Sequence, residues 1–135
     1  MKAIQLLTII LVSINCSICF SQNNESLKEI EYYASTRGSS ISITINQNKA
    51  IFNTKTYKVN SKKWNSIVSL ISKINLKNLQ NLQAPSEKRH IDAALAAEIK
   101  ITTSENIFTS SQFDHGNPPE EIAKLIDKIL KLVSL

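Results

Sequence analysis

The sequence predicts an α+β protein in which two β-β-α units form one antiparallel sheet of four to five strands, with two helices packed on one face. Three observations support this prediction. Two segments alternate apolar and polar residues with a period of two, as half-buried strands do. Two other segments carry apolar residues at helical spacing. The strand–strand–helix order occurs twice within 135 residues, a length typical of one domain.

The first unit is predicted at about residues 38–75. ISITIN alternates isoleucines with polar residues and predicts a strand, and AIFNTKTYKV follows the QNK turn as its partner. Asn60 or Ser61 is then available to cap a helix. The apolar stripe of this helix comprises Trp64, Ile67, Val68, Ile71 and Ile74. We expect Trp64 to be buried, because it stands first on an otherwise aliphatic stripe.

The second unit is predicted at about residues 95–134. AAEIKITT and IFTSSQF form its hairpin. Its helix carries Ile122, Leu125, Ile126, Ile129, Leu132 and Val133. The strand residues Ile43, Ile45, Ile51 and Phe52 recur 56 residues later as Ile99, Ile101, Ile107 and Phe108. A true duplication and a shared architecture predict the same layout. Residues 25–35 are expected to add a fifth strand at one edge of the sheet.

The N-terminus has the features of a secretory signal peptide at residues 1–21. Lys2 provides the positive charge, AIQLLTIILVSI the apolar run, and CFSQ the small residues before the cleavage point. Cleavage after Ser21 would leave one α+β domain at residues 22–135, in the periplasm or secreted. Lipoprotein processing at Cys16 or Cys19 and a retained anchor helix are the alternatives. The mature chain would contain no cysteine, so the C-x-x-C spacing is not a redox or zinc motif.

Composition excludes several classes of function. Two glycines are too few for a glycine-rich phosphate loop or a dinucleotide fingerprint. Aromatic residues make up only 6% of the chain and no nucleic-acid motif is present, so nucleic acid is not an expected partner. The formal net charge is +5. A cluster of lysines, Lys55, Lys58, Lys62 and Lys63, is either a solvated basic face or a surface attracted to anionic envelope polymers or lipids.

Two polar segments contain the candidate binding residues. APSEKRHID precedes the first strand of the second hairpin, and FDHGN follows its partner strand. Because the two ends of a hairpin are neighbours, these segments are expected to meet at one edge of the sheet. Arg89, Asp92 and Asp114 should form one linked polar cluster with the two histidines at its rim. The candidate binding residues are Arg89, His90, Asp92, Asp114, His115 and Asn117.

Three interpretations of these residues remain open. His90, Asp92, Asp114 and His115 are competent metal ligands, although their spacing matches no zinc signature. The histidines and aspartates, together with Ser86, could alternatively act in acid–base or nucleophilic catalysis. A structural or recognition role would pair Arg89 with Asp114 or Asp92 and leave the histidines and Asn117 to meet a ligand. Asn117 also predicts an N-cap for the last helix, followed by Pro118, Pro119 and Glu120 in a capping-box pattern.

STRGSS, APSEKRHIDAA and FDHGNPPEEI, behind a signal ending in CFSQ, resemble segments of small exported proteins of unknown function from Bacteroidetes, flavobacteria above all. This resemblance implies an envelope or secreted setting and no particular activity. The layout also resembles, more distantly, that of small proteinaceous protease inhibitors.

We therefore predict a small exported binding or interaction domain, possibly inhibitor-like. It would be a monomer without a cofactor, and its partner a protein, an envelope component or a small ligand. Membrane contact is expected only through the signal segment or a lipid-modified cysteine. A metal-assisted or His/Asp hydrolase and a structural envelope protein are the alternatives.

Overall fold

The computed structural model describes residues 25–134, so the predicted signal peptide and its cleavage point lie outside the described residues. The elements follow in the order β1 Leu27–Thr36, β2 Ser39–Asn46, β3 Lys49–Phe52, β4 Lys55–Lys58, α1 Ser61–Ile71, β5 Ala96–Thr103, β6 Ile107–Thr109, β7 Phe113–Asp114 and α2 Glu120–Leu132. Two short 3-10 helices, Leu76–Asn81 and Lys88–Ile91, lie between α1 and β5. None of the described helices is long and apolar enough to cross a membrane.

The strands form one antiparallel sheet in the order β4-β3-β2-β1-β5-β6, with β7 pairing with the far end of β5. The predicted class is confirmed, but the sheet has seven strands instead of four to five. The predicted strand AIFNTKTYKV is divided into β3 and β4 by a turn at Asn53, whose φ of 52° is left-handed. The predicted strand IFTSSQF is divided into β6 and β7 by residues 110–112.

The expectation that residues 25–35 form an edge strand is wrong. This segment is β1, which has ten residues and lies between β2 and β5 in the middle of the sheet. Ile30, Tyr32 and Ala34 alternate along it and are at most 1% exposed. A strand that is hydrogen-bonded on both sides and buries a row of apolar residues belongs in the centre of a sheet.

Of the residues that recur at an offset of 56, those on β2 and β5 occupy equivalent places on either side of β1, whereas Phe52 pairs with Ile43 and Phe108 pairs with Ile101. Ile43 and Ile99 are both Cα partners of Tyr32, from β2 and β5 respectively. Ile45 and Ile101 flank Ile30 in the same way. The periodicity of the two units therefore corresponds to two halves of the sheet that are joined through β1.

Both helices contribute to one hydrophobic core on the side of the sheet that carries these buried residues. Asn60 caps α1, because its Oδ1 accepts the Lys63 backbone N–H at 2.9 Å, and Trp64 is buried, as predicted. Helix α2 buries Ile122, Leu125, Ile126 and Ile129. Val68, by contrast, is 37% exposed, so it does not share the burial of its stripe.

The predicted N-cap of α2 is wrong. The helix begins at Glu120, three residues beyond Asn117, and Pro119 occupies the cap position without a side-chain hydrogen bond. Asn117 is held instead by a bridge to β7, where its backbone N–H donates to the Asp114 carbonyl at 2.9 Å. Glu120 and Glu121 still lie in the first turn, where carboxylates stabilise the positive end of the helix.

Candidate functional site

The polar site is centred on Asp114, the last residue of β7. Asp114 pairs with Ala96 at the start of β5 and is only 1% exposed. The loop from Ser86 to Arg89 lies against it, because the 3-10 helix at Lys88–Ile91 contacts β7. The hairpin thus brings the two polar segments of the sequence together, as predicted.

The Asp114 carboxylate accepts four hydrogen bonds, two at each oxygen. Oδ2 accepts the Ser86 hydroxyl at 2.5 Å and the Lys88 backbone N–H at 2.8 Å. Oδ1 accepts the Arg89 backbone N–H at 3.0 Å and Arg89 Nη1 at 3.2 Å. A carboxylate has about four lone-pair sites, so this one is saturated.

These bonds decide the ionisation of Asp114. Burial by itself raises the pKa of its carboxyl, but the donors from Ser86, Arg89 and Lys88 favour the charged form and hold the pKa well below its usual value of 3.8. The predicted pairing of Arg89 with Asp114 is therefore confirmed as a buried ion pair. An aspartate with such a low pKa is a weak base.

Ser86 is also occupied by this network. Its hydroxyl donates to Asp114 and accepts the Asn117 side-chain amide at 2.7 Å, while its carbonyl accepts Arg89 Nη1 at 2.7 Å. None of its hydrogen bonds within residues 25–134 involves a histidine. Ser86 therefore lacks the basic partner that activates a serine nucleophile.

His115 is half-buried rather than exposed at the rim of the cluster. Its Nδ1 lies 2.7 Å from the hydroxyl of Tyr32, which stands on the central strand. Burial lowers the pKa of His115 and raises the pKa of Tyr32, so both are neutral at pH 7. In this hydrogen bond the Nε2–H tautomer of the imidazole accepts from the Tyr32 hydroxyl, whereas the Nδ1–H tautomer donates to it.

The predicted link of Asp92 to the cluster is not found. Asp92 follows the 3-10 helix with a left-handed φ of 57°, and its carboxylate faces Arg37 at 3.9 Å and Thr36 at 3.5 Å. Both charged side chains are largely exposed, so this pair contributes little to stability. His90 is exposed as well and has Glu87 as its neighbour at 3.9 Å.

Sequence reasoning missed Tyr32 as a member of the site. The period of two in LKEIEYYAS would have placed it on the buried face with Ile30 and Ala34. Its contact with His115 crosses 83 residues of sequence and depends on β1 being central. The alternation of apolar and polar residues within β1 does not indicate that this strand lies in the centre of the sheet.

A polar cleft of about 360 Å³ adjoins the buried ion pair. Its polar lining includes Arg89, the carboxamides of Gln80, Asn81, Gln83 and Gln112, and the carboxylate of Glu87, whose side chain is 75% exposed and faces His90. The Arg89 side chain is 10% exposed, and Nη1 makes both of its side-chain hydrogen bonds. Its buried Nε has no hydrogen-bond partner among the described residues. A buried donor without a protein partner is costly, so a water or a ligand is the expected partner of Nε.

The metal-ligand interpretation gains no support from the described residues. Between Glu25 and Ser134, no group of three or more His, Cys, Asp or Glu side chains is placed to hold a metal ion. The Asp114 carboxylate already accepts hydrogen bonds from its donors, and His115 Nδ1 is already hydrogen-bonded to Tyr32.

Comparisons of the chain with protein-family models, with curated proteins and with solved structures found no match. The resemblance to exported Bacteroidetes proteins stays a prediction. Inferences about function therefore depend on the contacts of the site itself.

Proposed function

We propose that this protein is a small exported binding domain, and that its cleft beside Arg89 holds a ligand bearing a carboxylate. The observation that carries this proposal is the buried Arg89 Nε, which has no partner within residues 25–134 and belongs to a side chain that lines a polar cleft. Nη1 is already bound to Ser86 and Asp114. Nε and Nη2 form the edge of the guanidinium that these bonds leave unused, and because Nε is buried a ligand must displace a neighbouring side chain to reach it.

A carboxylate suits this edge because its two oxygens match two parallel N–H donors of a guanidinium. Asp114 and Ser86 hold the other side of the same group, so Arg89 is oriented before a ligand arrives. Preorganisation of this kind lowers the entropic cost of binding. The carboxamides around the cleft can donate and accept hydrogen bonds, which suits the hydroxyl or amide groups of an acidic sugar or a peptide end.

The alternative of a His/Asp hydrolase is less well supported. A general base needs a free, suitably basic group near a reacting atom. Asp114 has a strongly lowered pKa and four donors, and His115 is bonded to Tyr32 through Nδ1. The alternatives of an inhibitor and of a structural envelope protein rest on architecture and export alone, which are weak arguments for function.

The test uses the fact that the chain contains only two arginines, Arg37 and Arg89. In a 15N-labelled sample each gives one side-chain Nε–H signal, and Arg37→Lys assigns them. We expect glucuronate to shift the Arg89 Nε–H signal in a saturable way, while glucose, its neutral counterpart, does not. A short acidic peptide and its C-terminal amide form a second matched pair of probes.

Charge variants in the cleft provide the control. Gln112→Glu places a negative charge beside the proposed carboxylate and should abolish the shift, whereas Gln47→Glu in the β2–β3 turn should leave it unchanged. If no carboxylate probe shifts the Arg89 signal, or if Gln112→Glu binds as the wild type does, the proposal is wrong.

A further inference from the structure

Charge is distributed very unevenly along this chain. Residues 32–86 contain no aspartate or glutamate, and all 11 acidic residues lie before or after this segment. The segment carries eight basic residues, Arg37, Lys49, Lys55, Lys58, Lys62, Lys63, Lys73 and Lys77. It comprises β2, β3, β4, α1 and the first 3-10 helix, so the half of the sheet beyond β1 on the β2 side is purely basic.

Five of these lysines form a stripe along one border of the fold. Lys49 and Lys58 are Cα partners on β3 and β4, and Lys55 lies at the other end of β4, about 10 Å away at the usual rise of a strand. The Val59 backbone N–H bonds to the Asn48 carbonyl at 3.1 Å, which places the start of α1 at the Lys49–Lys58 end of the hairpin. Lys62 and Lys63 follow in the first turn of α1.

The lysine stripe, made of Lys49, Lys55, Lys58, Lys62 and Lys63, is fully presented to solvent. All five residues are exposed. None of them forms an ion pair with any residue between Glu25 and Ser134. Their charges are therefore available to a partner.

Two features of the stripe act against local stability. Like charges directly opposite each other on paired strands repel, as Lys49 and Lys58 do. The first turn of a helix favours acidic residues, yet α1 has none there and carries Lys62 and Lys63 instead. Lysine on an edge strand such as β4 discourages aggregation, but this explanation does not extend to Lys49 on an inner strand or to the helix. Local departures of this kind are typical of functional surfaces.

We propose that the lysine stripe binds a linear acidic polymer, one with carboxylate, phosphate or sulfate groups repeated along its length. The charges lie at the border formed by the β3–β4 hairpin and the start of α1, with Lys49 and Lys58 on one face of the sheet and Lys55 on the other, because side chains alternate along a strand. None of the large apolar side chains exposed within residues 25–134, which are Tyr33, Val68, Ile91 and Ile107, belongs to it. The surface therefore offers charge without apolar anchors, which suits a polymer better than insertion into a lipid bilayer.

This proposal is independent of the Arg89 cleft, which is built from residues 80–112 and does not include the stripe. Polymer binding of this type releases condensed counterions, so its affinity should fall steeply as salt is raised. Saturable binding of a small carboxylate in the cleft is a separate measurement. Either proposal can fail while the other stands.

The test measures the affinity of the exported protein for end-labelled polygalacturonate, polyphosphate and dextran sulfate, with neutral dextran as the blank. The stripe variant replaces Lys49, Lys58 and Lys62 with glutamine. The matched control removes the same charge from α2 by replacing Lys124, Lys128 and Lys131 with glutamine. We expect the stripe variant to bind roughly tenfold or more weakly and with a shallower salt dependence, and the control to change affinity much less.

The melting temperature of the stripe variant should not fall, because the substitutions remove repulsion between like charges. This measurement separates a loss of binding from a loss of folding. Equal weakening in the stripe and control variants would mean that only net charge matters and would overturn the proposal. The proposal would also be overturned if the protein bound none of the three polymers, or if it bound only vesicles of anionic lipid.

Discussion

Asp114 shows how one buried residue can organise two distant stretches of chain. Its carboxylate accepts hydrogen bonds from the loop between Ser86 and Arg89 and so fixes this loop against β7. A buried charge of this kind is tolerated because every lone pair is satisfied and a cation is in contact. Because its hydrogen-bonding sites are all used, the Asp114 carboxylate stabilises the fold and is not free to accept a proton from a substrate.

Asp114→Asn should therefore lower the melting temperature markedly. The amide nitrogen would face donors that now bond to a carboxylate oxygen, and Arg89 would lose its counter-charge in a buried place. Thermal unfolding followed by circular dichroism is the measurement, with Asp92→Asn as the exposed control. Equal melting temperatures for the two variants would contradict the anchoring role.

His115 should make stability fall as the pH falls through about 6.5. Burial lowers the pKa of the folded histidine, so as the pH falls below 6.5 the unfolded chain takes up a proton more readily than the folded chain. This histidine therefore leaves stability unaffected well above pH 6.5, and stability declines as the pH falls through and below that value. We expect the melting temperature of the wild type to fall as the pH is lowered through this range. His115→Gln should lose less melting temperature over the same range, and an equal loss in this variant would contradict the prediction.

At the scale of elements, β1 holds the two halves of the fold together. The two hairpins do not pair with each other directly, because β2 and β5 each bond to a different edge of β1. Ile30 and Tyr32 present their side chains to the core between the matching isoleucines of the two halves. The two helices then close a single core above this row.

Ile71→Ala and Ile126→Ala test this packing. Each isoleucine is buried on its helix, so each substitution should cost about 2–5 kcal/mol of unfolding free energy through lost contacts and a residual cavity. Denaturant unfolding gives the value. Lys124→Ala on the exposed face of α2 serves as the control and should change little. Values near zero for both isoleucines would show that the helices do not pack on the sheet as described.

For the whole molecule, we propose export through cleavage after Ser21. The motivation is the sequence of Lys2, an apolar run and CFSQ. Intact-mass measurement of the exported material should give a chain that begins at Gln22, or its cyclised form. A chain that begins with a diacylglyceryl cysteine at Cys16 or Cys19 would contradict soluble export and establish a lipid anchor.

The two proposed interaction surfaces both favour anionic partners. The Arg89 cleft suits a single carboxylate, and the lysine stripe suits many anionic groups in a row. The uneven distribution of charge in the sequence thus corresponds to a molecule with one strongly basic half.

The class of the fold, the helical stripes and the cap at Asn60 were all readable in the sequence, because periodicity and capping depend on near neighbours. So was the meeting of Arg89 with Asp114, since a hairpin fixes which loops adjoin. Three features were not readable in this way, because they depend on backbone geometry at single residues. They are the division of two predicted strands, the start of α2 at Glu120, and the direction of the Asp92 side chain away from the cluster.

The sequence alone determined that this is an α+β protein with two similar halves, an apolar N-terminal segment and a mild positive charge. Only the tertiary structure decided that β1 is central, that Tyr32 holds His115, and that Asp114 is saturated while one nitrogen of Arg89 has no partner within residues 25–134. The reason is physical. Strand order and buried hydrogen bonds join residues that are far apart along the chain, and a local pattern states which face a residue occupies without stating which strand lies beside it.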